Sequence, residues 1–343
     1  MTLARWREFR VHVGMPLLAP GRLAEEPILK YLGAFQWQAV ADVAGQPEHA
    51  VLNEAGERLH LSMISLELGV GAGRAWDEFE EGAVLGFHQR TGIYGHKLAE
   101  GLYLFDQEAI PDEEIQGIGT REDLMYGRRP WAYLTHGFTT WAPATWAQLE
   151  TPRAFLDRPV PELPAMPAGI AEHQAVERTG VIEGFADWAQ AVALPCAAPV
   201  QAFEYAVTPE TDLDAAGLVY GARLPTIMTG AERWLLRERL HLPLSEPLVT
   251  CLALQHRRIY HFANASRETS LHLRVEARFH PAAAAAPAPV RTLGRLYFRT
   301  DVLRGSDGVL MASSLVEKVL RVPGQSKPLL TEWARWLARM PAR

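Results

Sequence analysis

The stretch Asp212-Leu213-Asp214-Ala215-Ala216-Gly217-Leu218-Val219-Tyr220-Gly221-Ala222-Arg223 places carboxylates, small residues and an aromatic directly ahead of an apolar-striped segment. The first turn of a helix leaves backbone N–H groups without intrahelical acceptors and carries partial positive charge. Aimed at a reacting carbonyl, such groups form an oxyanion hole, in which one lost donor costs ~3–4 kcal/mol. An aspartate here also has a purely structural use, because Asp accepts local N–H groups in turns and caps. His60 and Ser62 stand two residues apart on a strand-like stretch, so both fall on one face. His60 is suited to acid/base work or to bonding a reacting oxygen, and equally to an ordinary place on a half-buried strand. Ser62 has the same two readings.

These residues need elements to hold them. Leu224, Ile227, Met228, Ala231, Trp234 and Leu235 recur at helical spacing and predict a helix over 222–240. A strand at 203–207 precedes it, and strand-like stretches follow at 248–263, 270–279, 292–303 and 309–320. One strand, one long helix and four strands is the order of a hot-dog domain, a curled antiparallel sheet around a central helix. A final amphipathic helix carries Leu330, Trp333, Trp336, Leu337 and Met340. The first half repeats the plan: a strand at 9–13, a helix at 23–33, and strand-like stretches at 58–68, 83–104 and 131–141. A repeat offset near 200 places Gly21-Arg22-Leu23 opposite the 221–224 segment and Arg58-Leu59-His60 opposite Arg258-Ile259-Tyr260. The expected fold class is α+β, a tandem hot-dog. The expected organisation is one hot-dog domain over 1–150, a proline-rich connector with a short helix over 151–200, and a second over 201–343. Pro152, Pro159, Pro161, Pro164 and Pro167 make that connector extended.

The 212–223 stretch resembles the signature of hot-dog acyl-CoA thioesterases, through Asp214, Ala216, Gly217, Val219 and Tyr220 in order ahead of the central helix. The resemblance implies that the N–H near Gly221 is the oxyanion donor and that Asp214 attacks or activates water. The N-terminal run His12-Val13-Gly14-Met15-Pro16-Leu17-Leu18-Ala19-Pro20-Gly21-Arg22-Leu23, with Leu29-Lys30-Tyr31-Leu32-Gly33 and Trp37, resembles a second family. This is the polyketide-pathway double hot-dog family of the leinamycin bifunctional acyltransferase/decarboxylase. It implies transfer of a malonyl-type group from coenzyme A to an acyl carrier protein with loss of carbon dioxide through an enolate. It also implies no metal or organic cofactor. Where that family has a catalytic tyrosine, this chain offers His60. The expected catalytic set is His60, Ser62, Asp214, Tyr220 and Gly221; the expected substrate-binding set is Gly14, Met15, Gly217, Arg223 and Asn264. An ionised Asp214 pointing into the pocket repels a malonyl carboxylate at contact range, which favours a thioesterase or a transferase without decarboxylation. A dehydratase and a non-catalytic carrier-binding protein are the other readings.

Composition narrows the classes. Lys plus Arg number 34 against 40 acids, a net charge of −6, which gives no basic surface for nucleic acid. Two cysteines, Cys196 and Cys251, exclude a disulfide scaffold and fit a reducing, cytoplasmic setting. No apolar run approaches a membrane span. Gly69, Gly71 and Gly73 sit in a predicted hairpin with no helix opening after Arg74, so they do not form a dinucleotide loop. The chain has no phosphate-cradling P-loop and no nucleophile elbow. Its 12 histidines show no zinc spacing. The pairs Arg128-Arg129 and Arg257-Arg258 read as solvated surface, or as contacts to phosphates of coenzyme A or an acidic carrier.

Overall fold

A computed structural model describes residues 5–19, 22–71, 79, 81–140, 149–185, 187–194, 202–214, 217–265, 270–282 and 289–339. The expectations placed on Gly73, Arg74, Trp141, Cys196, Ala216 and Met340 lie outside these residues.

The first half opens with strand β1 (Arg7–His12) and a small hairpin of β2 (Leu18–Ala19) and β3 (Arg22–Leu23). Helix α1 (Glu25–Ala44) follows, then β4 (Leu59–Gly69), β5 (Val84–Tyr94) and β6 (Leu98–Asp106). Two short helices, α2 (Asp112–Gly117) and α3 (Arg121–Tyr126), lead to β7 (Trp131–Thr140). Between the halves lie α4 (Ala168–Thr179) and β8 (Val192–Ala193). The second half runs β9 (Phe203–Ala206), α5 (Pro209–Asp212), α6 (Leu224–Trp234), α7 (Glu246–Thr250), β10 (Leu252–His261), β11 (Ser270–Pro281), β12 (Val290–Arg304) and β13 (Leu310–Pro323). Helix α8 (Lys327–Ala338) closes the described chain.

The sheet order carries the duplication. In the first half it is β1-β5-β6-β7-β4, and in the second β9-β11-β12-β13-β10. Each is the same permutation of one first strand and four later ones, and the halves join edge to edge through β4 and β10. The chain is a double hot-dog. Arg7 begins the first repeat's leading strand and Phe203 the second's, while Leu59 and Leu252 begin the joined strands. The central helices α1 and α6 pack side by side within one continuous apolar core shared by both halves.

Several boundaries differ from the sequence reading. Helix α1 does not stop at Gly33 but runs to Ala44, where Gly45 in a left-handed conformation (φ 61°) ends it. Gly33 stays inside the helix, where a Cβ would reach only ordinary contact distance of the Tyr220 hydroxyl (4.0 Å); it is not a terminator. The long second helix begins as a 3-10 turn (Gly221–Arg223) and ends as a π turn (Leu235–Arg239). The expected strand over 248–263 starts only at Leu252, because Ser245 caps a short helix with Pro247 in its first turn. Gly69 and Gly71 make room for the Trp131 ring and the Arg128 backbone, which a Cβ would overlap. No helix among the described residues is long and apolar enough to cross a membrane.

Candidate active site

Strands β4 and β10 pair from Gly69↔His256 to Ser65↔Tyr260 and then part. Beyond that point β4 continues to Leu59 on β7 alone, while Phe262 and Ala263 turn to the Met311 carbonyl of β13. The parting opens a cavity of about 440 Å³ at the seam between halves. Its walls come from β4 (His60, Ser62, Met63), β7 (His136, Thr139), one face of α1 (Lys30, Gly33, Trp37), the end of β10 (His261) and the segment after it (Asn264), and the loop into α6 (Asp214, Tyr220, Gly221). Six of the ten site residues expected from sequence therefore meet there: His60, Ser62, Asp214, Tyr220, Gly221 and Asn264.

The loop into α6 is built by its own carboxylates. Asp212 is fully buried and accepts from the Tyr205 hydroxyl (2.9 Å), Thr208 N (2.7 Å) and Arg223 Nε (2.8 Å). Asp214 Oδ1 accepts from Leu218 N at 3.1 Å, and the Asp214 carbonyl accepts from Gly217 N at 2.9 Å. Asp214 thus has the turn role and a place in the cavity wall at once. Gly217, at φ 70°, supplies the left-handed residue of that turn and does not line the cavity. Val219 N bonds Ala265 O and Tyr220 N bonds Asp212 O, so the loop is pinned before the first helical turn begins at Gly221. That turn faces inward: a Cβ on Gly221 would lie 3.7 Å from His261 Cε1 and 3.8 Å from Met63 Sδ.

His60 sits half-buried opposite the loop. Burial lowers its pKa from the ordinary imidazole value, the Arg58 charge lowers it further, and the Asp214 carboxylate pulls the other way. Ser62 Oγ shares a 2.7 Å hydrogen bond with Thr139 Oγ1. Burial, then the fields of Asp214 and Glu26, raise the Tyr220 phenol, which therefore stays protonated. Lys30 Nζ lies 5.7 Å from the centre of the Tyr220 ring and pairs with Glu26 at 2.8 Å. Asn264 Oδ1 accepts from Ala265 N at 2.7 Å.

Three further expected contacts lie elsewhere. Arg223 bridges Asp212 and Glu26 (2.7 Å), joining the second half's loop to α1, so its guanidinium is engaged in structure. Gly14 precedes the 3-10 turn Met15–Leu17, and Met15 is exposed at the surface, away from the cavity wall. The basic pairs are corrected too. Arg257 is fully buried against Glu25 (2.7 Å) and Glu232 (3.4 Å); Arg258 bonds Glu67 (2.6 Å), and Arg129 bonds Asp106 (2.9 Å). Sequence reasoning missed Lys30, Trp37, His136 and His261. A single histidine in an apolar strand gives no signal of the cavity it faces.

Among the described residues no cluster of three or more His, Cys, Asp or Glu is placed to hold a metal ion. No protein-family model and no curated sequence matches the chain. Similarity is found in three dimensions. The fold is similar to that of a protein assigned as an oleoyl thioesterase from Lactobacillus plantarum, with TM-score 0.53, 9% identity, and 94% and 98% of the two chains covered. An acyl-ACP thioesterase from Bacteroides thetaiotaomicron (TM-score 0.49, 10% identity, 92% and 98% covered) is also similar. So is the 12:0-ACP thioesterase from Umbellularia californica (TM-score 0.48, 9% identity, 93% and 97% covered). At 9% identity the likeness to the first of these supports the fold alone and assigns no residue a role.

Proposed function

We propose that the protein hydrolyses acyl thioesters, with the acyl group in the seam cavity and the thioester carbonyl at the 3-10 turn Gly221–Arg223 that leads into α6. The observation that carries this reading is the convergence of His60 and Asp214, from opposite halves, on the cavity that Gly221 faces. His60 is neutral at neutral pH because burial and Arg58 disfavour its charged form. It takes a proton from water as that water attacks the carbonyl carbon. The nearby Asp214 carboxylate favours the imidazolium so formed, and the Gly221 N–H receives the negative charge developing on the carbonyl oxygen. The carbon–sulfur bond then breaks, and His60 returns its proton to the departing sulfur. The products are a free acid and a thiol of coenzyme A or of a carrier-bound phosphopantetheine.

Transfer to a carrier protein with decarboxylation is the finer reading implied by sequence resemblance. Among the lining residues the formally charged groups are Lys30, Glu48 and Asp214, and Lys30 is paired with Glu26. A malonyl carboxylate would meet more negative than positive charge, which supports hydrolysis. The deciding experiment incubates the protein with acyl-CoA and acyl-carrier esters and follows thiol release together with the intact mass of the carrier. Free thiol and free acid support hydrolysis. A carrier gaining an acyl group short of one carbon dioxide would replace it with transfer, and retention of an unaltered acyl-carrier would replace both with binding.

A further inference from the structure

The seam cavity has a second polar surface that the hydrolytic steps do not use. His136, on β7 of the first half, and His261, closing β10 of the second, both line it. They are 3% and 5% exposed. His136 Nδ1 and His261 Nε2 have no hydrogen-bond partner among the described residues. An unsatisfied buried polar group costs ~1–3 kcal/mol, so two on one cavity wall call for a ligand that completes them. His173 does not: its Nε2 meets the His261 carbonyl at 2.7 Å and its ring stacks on Phe262, which secures the strand and leaves His261 Nε2 unpaired.

Burial keeps both imidazoles neutral, with pKa values lowered to about 4 for His136 and about 3 for His261. A neutral imidazole nitrogen donates or accepts one hydrogen bond, and a buried pair of them supplies no charge to offset a desolvated carboxylate, so the fitting complement is a neutral oxygen. A hydroxyl both donates and accepts, so it serves two such nitrogens whenever at least one of them carries its proton. Position narrows the class further. His261 Cε1 would lie 3.7 Å from a Cβ on Gly221, beside the turn that receives the thioester carbonyl. An oxygen held there belongs to an acyl carbon close to that carbonyl.

Resting on the thioester reading above, we infer that His136 and His261 form a recognition subsite for a hydroxyl near the thioester, making 3-hydroxyacyl thioesters the substrate class. The test compares kcat/KM for (R)- and (S)-3-hydroxybutyryl-CoA with that for butyryl-CoA, in the native protein and in His136→Leu and His261→Leu. The native protein is expected to prefer one hydroxy ester by at least ~10-fold, because a site built around a hydroxyl rejects the analogue lacking it. Each leucine variant should lose at least ~10-fold more on the hydroxy ester than on butyryl-CoA. Equal or better use of butyryl-CoA by the native protein, or an equal loss on both esters, overturns the subsite. Should a leucine variant fail to fold by circular dichroism, His136→Phe and His261→Phe take its place with the same criterion. If neither ester is hydrolysed, the hydrolytic reading fails by itself, and thermal-shift binding decides the subsite. Stronger stabilisation by the hydroxy ester, lost in the variants, supports it; equal or absent stabilisation by both esters overturns it.

Discussion

His60 lies between a cation and a carboxylate, and its charge follows from that balance. Burial and Arg58 outweigh Asp214, so the imidazole titrates below its ordinary value. As a general base it must be unprotonated; hydrolysis should therefore fall as pH drops through a value below 6.5 and stay level above it. His60→Gln is expected to lower kcat by ~100-fold and to remove that limb. Asp214→Asn keeps an oxygen for Leu218 N but removes the charge that raises the His60 pKa, so the limb should move to lower pH as kcat falls. An unmoved limb would separate Asp214 from His60. The Gly221 N–H has its own test. Gly221 is the first residue of a helical turn, where proline is favoured, and Tyr220 before it has the extended backbone proline demands. Gly221→Pro should cost ~100- to 1,000-fold in kcat by deleting one donor, measured as thiol release. Gly221→Ala keeps the donor and adds only contacts of 3.7–3.9 Å, so it should cost far less.

At the scale of elements, the joint between halves is held by buried charge as well as by apolar packing. Arg257 on β10 reaches Glu25 on α1 and Glu232 on α6, and Lys318 on β13 reaches Glu232 as well. A second group gathers Arg121, His256 and Arg258 around Glu67 on β4. Burial alone would raise the Glu67 carboxyl, but the His256 hydrogen bond and the surrounding cations hold it well below the usual range. Removing one member of such a group strands the others. Arg257→Leu is expected to cost ~3–5 kcal/mol, read from urea unfolding, because Glu25 and Glu232 lose their shared partner.

For the whole molecule, His136 and His261 tie folding to pH. Their folded pKa values lie below the unfolded value of 6.5, so the unfolded chain binds more protons between those values. Their contribution is complete above about pH 6.5 and is lost as pH falls toward about 4 and about 3, at roughly 1.4 kcal/mol per pH unit per ring. Glu67 adds its loss only below the ordinary carboxylate range. Calorimetry between pH 7 and 5 should show Tm falling with pH, and less steeply in His261→Leu. The joined strands also make the halves interdependent: residues 1–150 alone would expose the β4 edge and one side of a shared core. Size-exclusion chromatography of that fragment should show self-association.

The order of elements was legible in the sequence because a helix stripe and strand alternation are local patterns. Leu224, Ile227 and Met228 mark one face of α6 in the sequence and are buried along it in the structure. The 212–223 loop was legible for the same reason, since its aspartates and glycine act on neighbours a few residues away. What tertiary structure decided was the pairing of β4 with β10 and the place where it fails. That failure brings His60 and His136 from one half to face Asp214 and His261 from the other. Tertiary structure also turns Arg223 and Arg257 from candidate ligand contacts into braces to α1, because Glu26 and Glu25 lie far away in sequence. Contacts across such separations depend on how two curled sheets meet, and no periodicity within either half encodes that meeting.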